Sequence, residues 1–211
     1  MRRLFIITIL IFISTAIFAQ EEILNLPEPK KEGGKPLMEA LNERSSARSF
    51  SNQEMPMQKL SDMLWAAFGI NRSESGKRTA PTSRDVRDIN IYVTTKDGAF
   101  QYMPEEHALK VITKKDLREH MGEQDFVADA AVNIVYVSDF SKYPGDDDDK
   151  KLMTASAHCG FIGQNVYLFA ASDGLISVFR AMIDKDLIHG KLNLTEDEHV
   201  VYSQSVGYPD N

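Results

Sequence analysis

With 211 residues, 43% of them hydrophobic, the chain is long enough for one domain with a substantial core. Its 24 Lys and Arg against 31 Asp and Glu leave a formal charge of -7, which argues against a nucleic-acid partner, because phosphate backbones need concentrated cations. Cys159 is the single cysteine, so no internal disulfide can form and stability must come from packing or from a partner chain.

Residues 1–19 open with Arg2 and Arg3, continue as an apolar stretch from Leu4 to Phe18 and close with Ala16 and Ala19. That order predicts a signal peptide cleaved near Ala19 and Gln20, and hence an exported chain, periplasmic or extracellular. A retained anchoring helix is the alternative; the short apolar stretch and the acidic Glu21 and Glu22 favour cleavage. No cysteine at the junction could accept a lipid. Residues 20–35 mix Pro, Gly and charge without periodicity and predict a flexible linker, leaving one domain over 36–211.

Pro36 suits the first turn of a short helix whose Leu37, Ala40 and Leu41 share a face. Pro56 opens a second helix, in which Leu60, Met63, Leu64, Ala67 and Phe68 recur at helical spacing before Gly69 stops it. Trp65 and the methionines read as packing residues. A polar loop over 70–88 leads to an alternating strand from Ile89 to Thr95, a turn at Asp97 and Gly98, and a second strand from Ala99 to Met103. Leu109 to Ile112 adds a short strand, and Thr113 with Asp116 predicts a capped helix ending at Gly122. Ala131 to Val137, nearly all apolar, is expected as a central strand buried on both faces.

The four aspartates from Asp146 to Asp149 lack the spacing and central glycine of a calcium loop and read as a solvated loop. Residues 152–174 predict a long helix that is apolar around much of its circumference, so it either runs through the middle of the domain or meets a second chain. His158 and Cys159 within it point about 100° apart with no third ligand in step, and read as packing residues. Then come a strand or extended segment over 175–183, a helical turn from Asp184 to Leu187 and a closing strand from Val200 to Val206. Helices interleave with hairpins, without regular βαβ units and without GxGxxG or GxxxxGK, so the expected class is α+β.

Chemistry is sparse. There is no HExxH or GxSxG, and the histidines at 107, 120, 158, 189 and 199 are scattered, so neither a metal site nor a catalytic dyad is expected. "NERSSARSF", residues 42–50, sets Arg44 and Arg48 around Ser45, Ser46 and Ser49. Guanidinium forks and hydroxyls in one turn suit a phosphate group. A surface loop that satisfies its own polar groups is the equal alternative.

"RSSARSF", "LSDMLWAAFGI", "RTAPTSRDVRDINIYV" and "GFIGQNVYLFAASDGLISVFRAMID" together resemble, in order, landmarks of the nitroreductase family of flavin enzymes, nearest the branch of azoline-oxidising dehydrogenases. The resemblance covers about residues 36–209. It implies a mixed, mainly antiparallel sheet flanked by helices, with the long central helix at a homodimer interface, and FMN as cofactor. It also implies hydride transfer to or from a small organic substrate such as a nitroaromatic or quinone, with NAD(P)H or another electron donor. Arg44, Ser45, Ser46 and Arg48 would hold the phosphate and ribityl chain. Pro81, Thr82, Ser83 and Arg84, from the same or the partner subunit, would rim the ring, with Gln164 nearby. The Phe179 to Met182 segment, through Arg180, Ala181 and Met182, would present backbone amide to the flavin.

The chain departs from that pattern in four places. Thr82 replaces a serine, Arg84 and Asp85 replace a glycine or asparagine turn, and Met182 stands where many members have glycine. The usual basic residue after Gly-Tyr-Pro is missing, so Arg44 and Arg48 would carry more of the phosphate. Arg84 either faces the ring or pairs with Asp85 or Asp88 as a turn residue. Two other functions fit the same fold: a flavin-retaining protein without efficient turnover, and a cofactor-free exported domain used for structure or interaction.

Overall fold

The computed structural model describes residues 21–210; the export signal expected over 1–19 lies outside them. A seven-stranded sheet organises the fold. In chain order its strands are β1 (Ile23–Asn25), β4 (Ile89–Thr95), β5 (Gly98–Met103), β6 (Ala108–Thr113), β7 (Val132–Asp139), β8 (Ile176–Arg180) and β9 (Glu198–Gly207). They lie side by side as β1-β6-β5-β4-β7-β9-β8, every neighbouring pair antiparallel. Two further short strands, β2 (Ile70–Arg72) and β3 (Lys77–Arg78), form a separate hairpin.

Three layers follow from side-chain alternation. One face of the sheet sends Ile89, Ile91, Val93, Ile134 and Tyr136 toward the helices α2 (Met57–Phe68) and α3 (Asp148–Ser172). The other sends Tyr92, Val135 and Val137 toward α4 (Lys185–Leu192) and the segment holding Leu117, Met121 and Val127. β7 lies in the middle and is buried along nearly its whole length, as its nearly continuous apolar run, broken only by Asn133 before Ser138, requires. Each fully buried Val or Ile there, such as Val132, Ile134 and Val135, contributes about 1.5–3 kcal/mol. On α2 the expected stripe of Leu60, Met63, Leu64, Ala67 and Phe68 is the buried face.

Several elements differ from the sequence reading. Residues 21–35, expected as a linker, are a strap laid on the domain. β1 pairs with β6 at the sheet edge, Leu26 is buried, Lys30 N–H donates to Asp62, and Lys35 N–H donates to Ser172 Oγ at the far end of α3. The strap is clasped by His107, whose Nε2 lies 2.7 Å from Ser61 Oγ while Ser61 donates to the Pro27 carbonyl. The capped helix expected over 113–122 is instead a single 3-10 turn at Arg118–His120. Asp116 accepts from both the backbone and the guanidinium of Arg118, a local arrangement that competes with helix formation.

The aspartate run is not a loop throughout. Asp147 caps α3 by accepting from Lys150 N–H, and Asp148 and Asp149 occupy its first turn, where the helix dipole favours anions. α4 likewise extends to Leu192 rather than stopping at Leu187, with Asp184 as its cap. The first helix, α1 (Leu37–Glu43), forms as expected, but of its apolar face only Ala40 is buried; Leu37, Met38 and Leu41 remain exposed.

Candidate flavin site

β8 and α3 place the Arg/Ser turn. Residues 44–47 leave α1 and run beside β8, where Ser46 bridges Ser177 in parallel and Ala47 N–H donates to the Ser177 carbonyl at 3.1 Å. Tyr167 on α3 ties the two together: its hydroxyl is 2.8 Å from Ser46 Oγ and accepts from Phe179 N–H at 2.8 Å. The Arg44 guanidinium lies 5.3 Å from the Tyr167 ring centre, close enough for a cation–π contact. Phe50 bridges Pro209, and Ser51 N–H donates to the Tyr208 carbonyl, so the turn is also stitched to the C-terminal Gly-Tyr-Pro. α3 can approach β8 this closely because Gly163 faces the Phe179 ring without a side chain.

Ser45, Ser46 and Arg48 are exposed and Arg44 is half-buried. Among the described residues neither Arg44 nor Arg48 has a carboxylate within ion-pair distance. Two uncompensated guanidinium groups beside two exposed hydroxyls fit a phosphate, which takes several charge-assisted hydrogen bonds at once.

The second turn is built on strain. Arg84, Asp85 and Arg87 all have positive φ, at 50°, 57° and 49°, a conformation that costs non-glycine residues about 1–3 kcal/mol each. Arg87 compensates in part by a two-point ion pair with Asp85 and by its own N–H donating to Thr82 Oγ1 at 3.1 Å. The Arg87 guanidinium holds the Asp85 carboxyl below its ordinary value. Because Asp85 is taken by Arg87, and Asp88 by His158 and Ser138, Arg84 pairs with neither. Pro81, Ser83 and Arg84 are exposed and Thr82 is half-buried. Ser83 and Arg84 also border a cavity of about 440 Å³ shared with Tyr143, Lys150 and Thr154.

His158 and Asp88 lie beneath this turn, with 2% and 0% of their surface exposed. Ser83 N–H donates to His158 Nε2 at 2.7 Å, and His158 Nδ1 is 2.6 Å from Asp88 Oδ1. Ser138 on β7 donates to Asp88 Oδ2 at 2.9 Å. Burial pushes the Asp88 carboxyl up, but the hydrogen bonds of His158 and Ser138 and the nearby imidazole outweigh it and leave the group below its ordinary value. Burial drives the neighbouring Cys159 thiol well up, so it is an inert packing residue.

The remaining expected residues divide. Gln164 is exposed on α3 one turn before Tyr167. Ala181 and Met182 follow the end of β8 and are exposed. The Arg180 side chain turns to the opposite face of the sheet, where it is 4% exposed and donates to Met121 O, Asn133 Oδ1, Ser203 Oγ and Ser205 Oγ. Burial without a carboxylate partner brings its guanidinium down to about 10. At the head of the segment expected to present backbone amide, the Phe179 N–H is taken by Tyr167. Tyr167, His158 and Asp88 are the site residues that the sequence reading did not select.

The two turns do not meet within one chain. Their anchors on α3, His158 and Tyr167, are nine residues apart, which is roughly 13 Å along the helix and about 180° around it. Between these flanks α3 carries an exposed stripe of Met153, Ala157, Gly160, Phe161 and Gln164, with Met153 69% and Phe161 48% exposed.

Residues 41–208 match the model of the nitroreductase family. A nitroreductase homologue of Methanocaldococcus jannaschii is 27% identical over 152 residues, which cover 67% of this chain and 76% of that protein. A crystal structure of a nitroreductase homologue from Ralstonia eutropha is 35% identical, covers 90% of each chain and superposes with a TM-score of 0.85. The NADPH:FMN oxidoreductase of Vibrio harveyi, solved with NAD+, shares the fold at 19% identity and a TM-score of 0.61, over 83% of this chain and 69% of that one. The family match over residues 41–208, with a 35% identical structure of the same fold over 90% of the chain, shows that the chain belongs to the nitroreductase family.

Proposed function

We propose that this protein is an FMN-dependent oxidoreductase that works as a homodimer and passes electrons between a donor such as NAD(P)H and a small organic acceptor, a nitroaromatic or a quinone. The observation that carries the reading is the uncompensated Arg44, Ser45, Ser46 and Arg48 turn, clamped to β8 by Tyr167, in a chain of this family. FMN, when bound, supplies hydride and electron transfer that no side chain here could perform. Arg44 and Arg48 hold the phosphate and, with the neighbouring serines, fix the cofactor's register on the β8 edge. Ser83 and Arg84 present a donor and a free cation on the second turn. A cation there favours an acceptor on which negative charge develops.

Dimerisation reconciles the two turns. The exposed apolar stripe of α3, with Leu37, Met38 and Leu41 of α1, is the surface a second copy would cover. Pairing through it would set the second turn of one chain against the first turn of its partner, because the two turns flank the stripe on either side of α3. An interface of this kind buries on the order of 2,000 Å² or more. An exported chain meets little free nicotinamide, so with the signal expected at residues 1–19 another reduced donor would serve.

The test is anaerobic. Purified protein loaded with FMN is reduced by NAD(P)H or dithionite, then mixed with a nitroaromatic or a quinone. Reoxidation faster than that of free reduced FMN supports the reading. Bound flavin that reoxidises no faster than free flavin points to a flavin-retaining protein without turnover, and failure to bind FMN at all overturns the proposal.

A further inference from the structure

The buried Asp88 and His158 have the look of an acid–base dyad, and their hydrogen bonds say otherwise. Ser83 is a backbone donor, so His158 Nε2 must be the unprotonated nitrogen and Nδ1 must carry the proton toward Asp88. Both ring nitrogens are committed, the ring is almost wholly buried, and no cluster of metal-ligating groups surrounds it among the described residues. His158 can therefore neither take a substrate's proton nor bind a metal in this arrangement. What it does offer is a buried, fixed acceptor for the backbone N–H of Ser83.

We propose that Asp88 and His158 are positioning residues that hold the turn from Thr82 to Arg87, with its three left-handed residues Arg84, Asp85 and Arg87, in place, and so set where Ser83 and Arg84 stand at the rim of the proposed flavin site. The chain of support is continuous. Ser138 on the central strand β7 donates to Asp88, and Asp139 N–H donates to the Asp88 carbonyl. Asp88 fixes the tautomer and plane of His158, and His158 accepts from Ser83. The bonds within the turn, Asp85 N–H to Thr82 O and Val86 N–H to Ser83 O at 3.1 Å, close it on itself but do not attach it to the core. Lys142 Nζ, which donates to the Arg87 carbonyl at 3.1 Å, is a surface contact by comparison. The family resemblance leads one to expect a glycine or asparagine here, either of which adopts this backbone readily; Arg84 and Arg87, at φ 50° and 49°, do not, so the turn needs an external hold. The statement about the rim rests on the proposed function, whereas the statement about the turn does not.

Three measurements test it. Histidine side-chain nitrogen NMR of the flavin-free chain should show His158 protonated at Nδ1 and bare at Nε2; a proton on Nε2 would overturn the assignment. Amide exchange at Ser83 should accelerate about tenfold or more in His158→Leu, as expected for loss of one hydrogen bond to a buried acceptor. It should return toward the wild-type rate in His158→Gln, whose amide oxygen can accept in place of Nε2. Equal exchange in all three proteins refutes the positioning role, and the NMR result stands even if a variant fails to fold. With FMN loaded, His158→Leu should raise the acceptor KM while FMN affinity, set by the Arg44 turn, stays at the wild-type value. An unchanged acceptor KM with accelerated Ser83 exchange would overturn the rim while leaving the hold on the turn. Failure to bind FMN in the wild-type protein would instead count against the proposed function alone.

Discussion

Replacing Gly163 by alanine should loosen the contact on which the Arg/Ser turn depends. A methyl at this position would lie 2.6 and 2.7 Å from two Phe179 ring carbons and 3.2 Å from Gln204 Oε1. Resting carbon atoms sit about 3.5–4.0 Å apart, so the helix and strand must separate by roughly 1 Å or the ring must retreat. Retreat is blocked: Phe179 stacks on Tyr136 at 5.4 Å, tilts against Tyr202 at 5.0 Å, and has its N–H held by Tyr167. Overpacking of this kind costs about 1–3 kcal/mol, and the better helix propensity of alanine returns about 1 kcal/mol. The expected net loss is about 1 kcal/mol, or a fall in Tm of about 2–4 °C for a domain of this size. Gly190→Ala on α4 meets nothing within 4 Å and should gain up to about 1 kcal/mol by the same propensity. Urea unfolding of both variants isolates the packing cost, and FMN titration should show weaker binding in Gly163→Ala only. Equal stability of the two variants would refute the close-approach argument.

Three further outcomes follow from the site and the strap. Arg44→Ala combined with Arg48→Ala should raise the FMN Kd at least about a hundredfold, since each hydrogen bond to a charged group contributes about 1.5–3 kcal/mol; wild-type affinity in a titration would remove both residues from the site. Arg84→Ala, which breaks no ion pair with Asp85 or Asp88, should leave Tm and FMN binding unchanged and slow reoxidation by anionic or nitroaromatic acceptors about tenfold, equivalent to about 1.4 kcal/mol; equal rates across several acceptors would return Arg84 to the surface. Burial lowers the His107 pKa below its ordinary 6.5, so the unfolded chain binds the proton first and stability should fall as pH drops from about 7 through the unfolded value toward the folded one. His107→Gln should flatten that slope in urea titrations, and an unchanged slope would mean that the clasp does not carry it.

Where the sequence spoke through burial it was legible. β7 announced itself by a nearly all-apolar run, α2 by a five-residue stripe, and the 89–95 strand by alternation. β1 was not legible because its three side chains are exposed and its hold on β6 is made by backbone groups, which leave no mark on composition. The 113–122 segment misled because Asp116, which suits a helix cap, finds Arg118 two residues away. The two polar turns could be seen as density of Arg, Ser and Asp, and the family resemblance assigned them a common ligand. Tyr167 and His158 escaped notice because they sit in an apolar helix, whose periodicity reports burial and says nothing of the partners their polar tips will find. For His158 that partner lies 70 residues earlier. Arg180 shows the converse: a residue expected at the flavin has a side chain that serves the core on the other face of the sheet.

The central claim is that FMN binds to a pair of these chains, with each site drawing on both. Sedimentation velocity of the FMN-loaded protein at low micromolar concentration, followed in the visible flavin band, tests it most directly. The account predicts that flavin absorbance travels with one species near twice the chain mass, at one FMN per chain, and that Phe161→Asp on the exposed α3 stripe releases both the dimer and the flavin. Flavin that sediments free, or that stays tightly bound to a folded single chain, would contradict it.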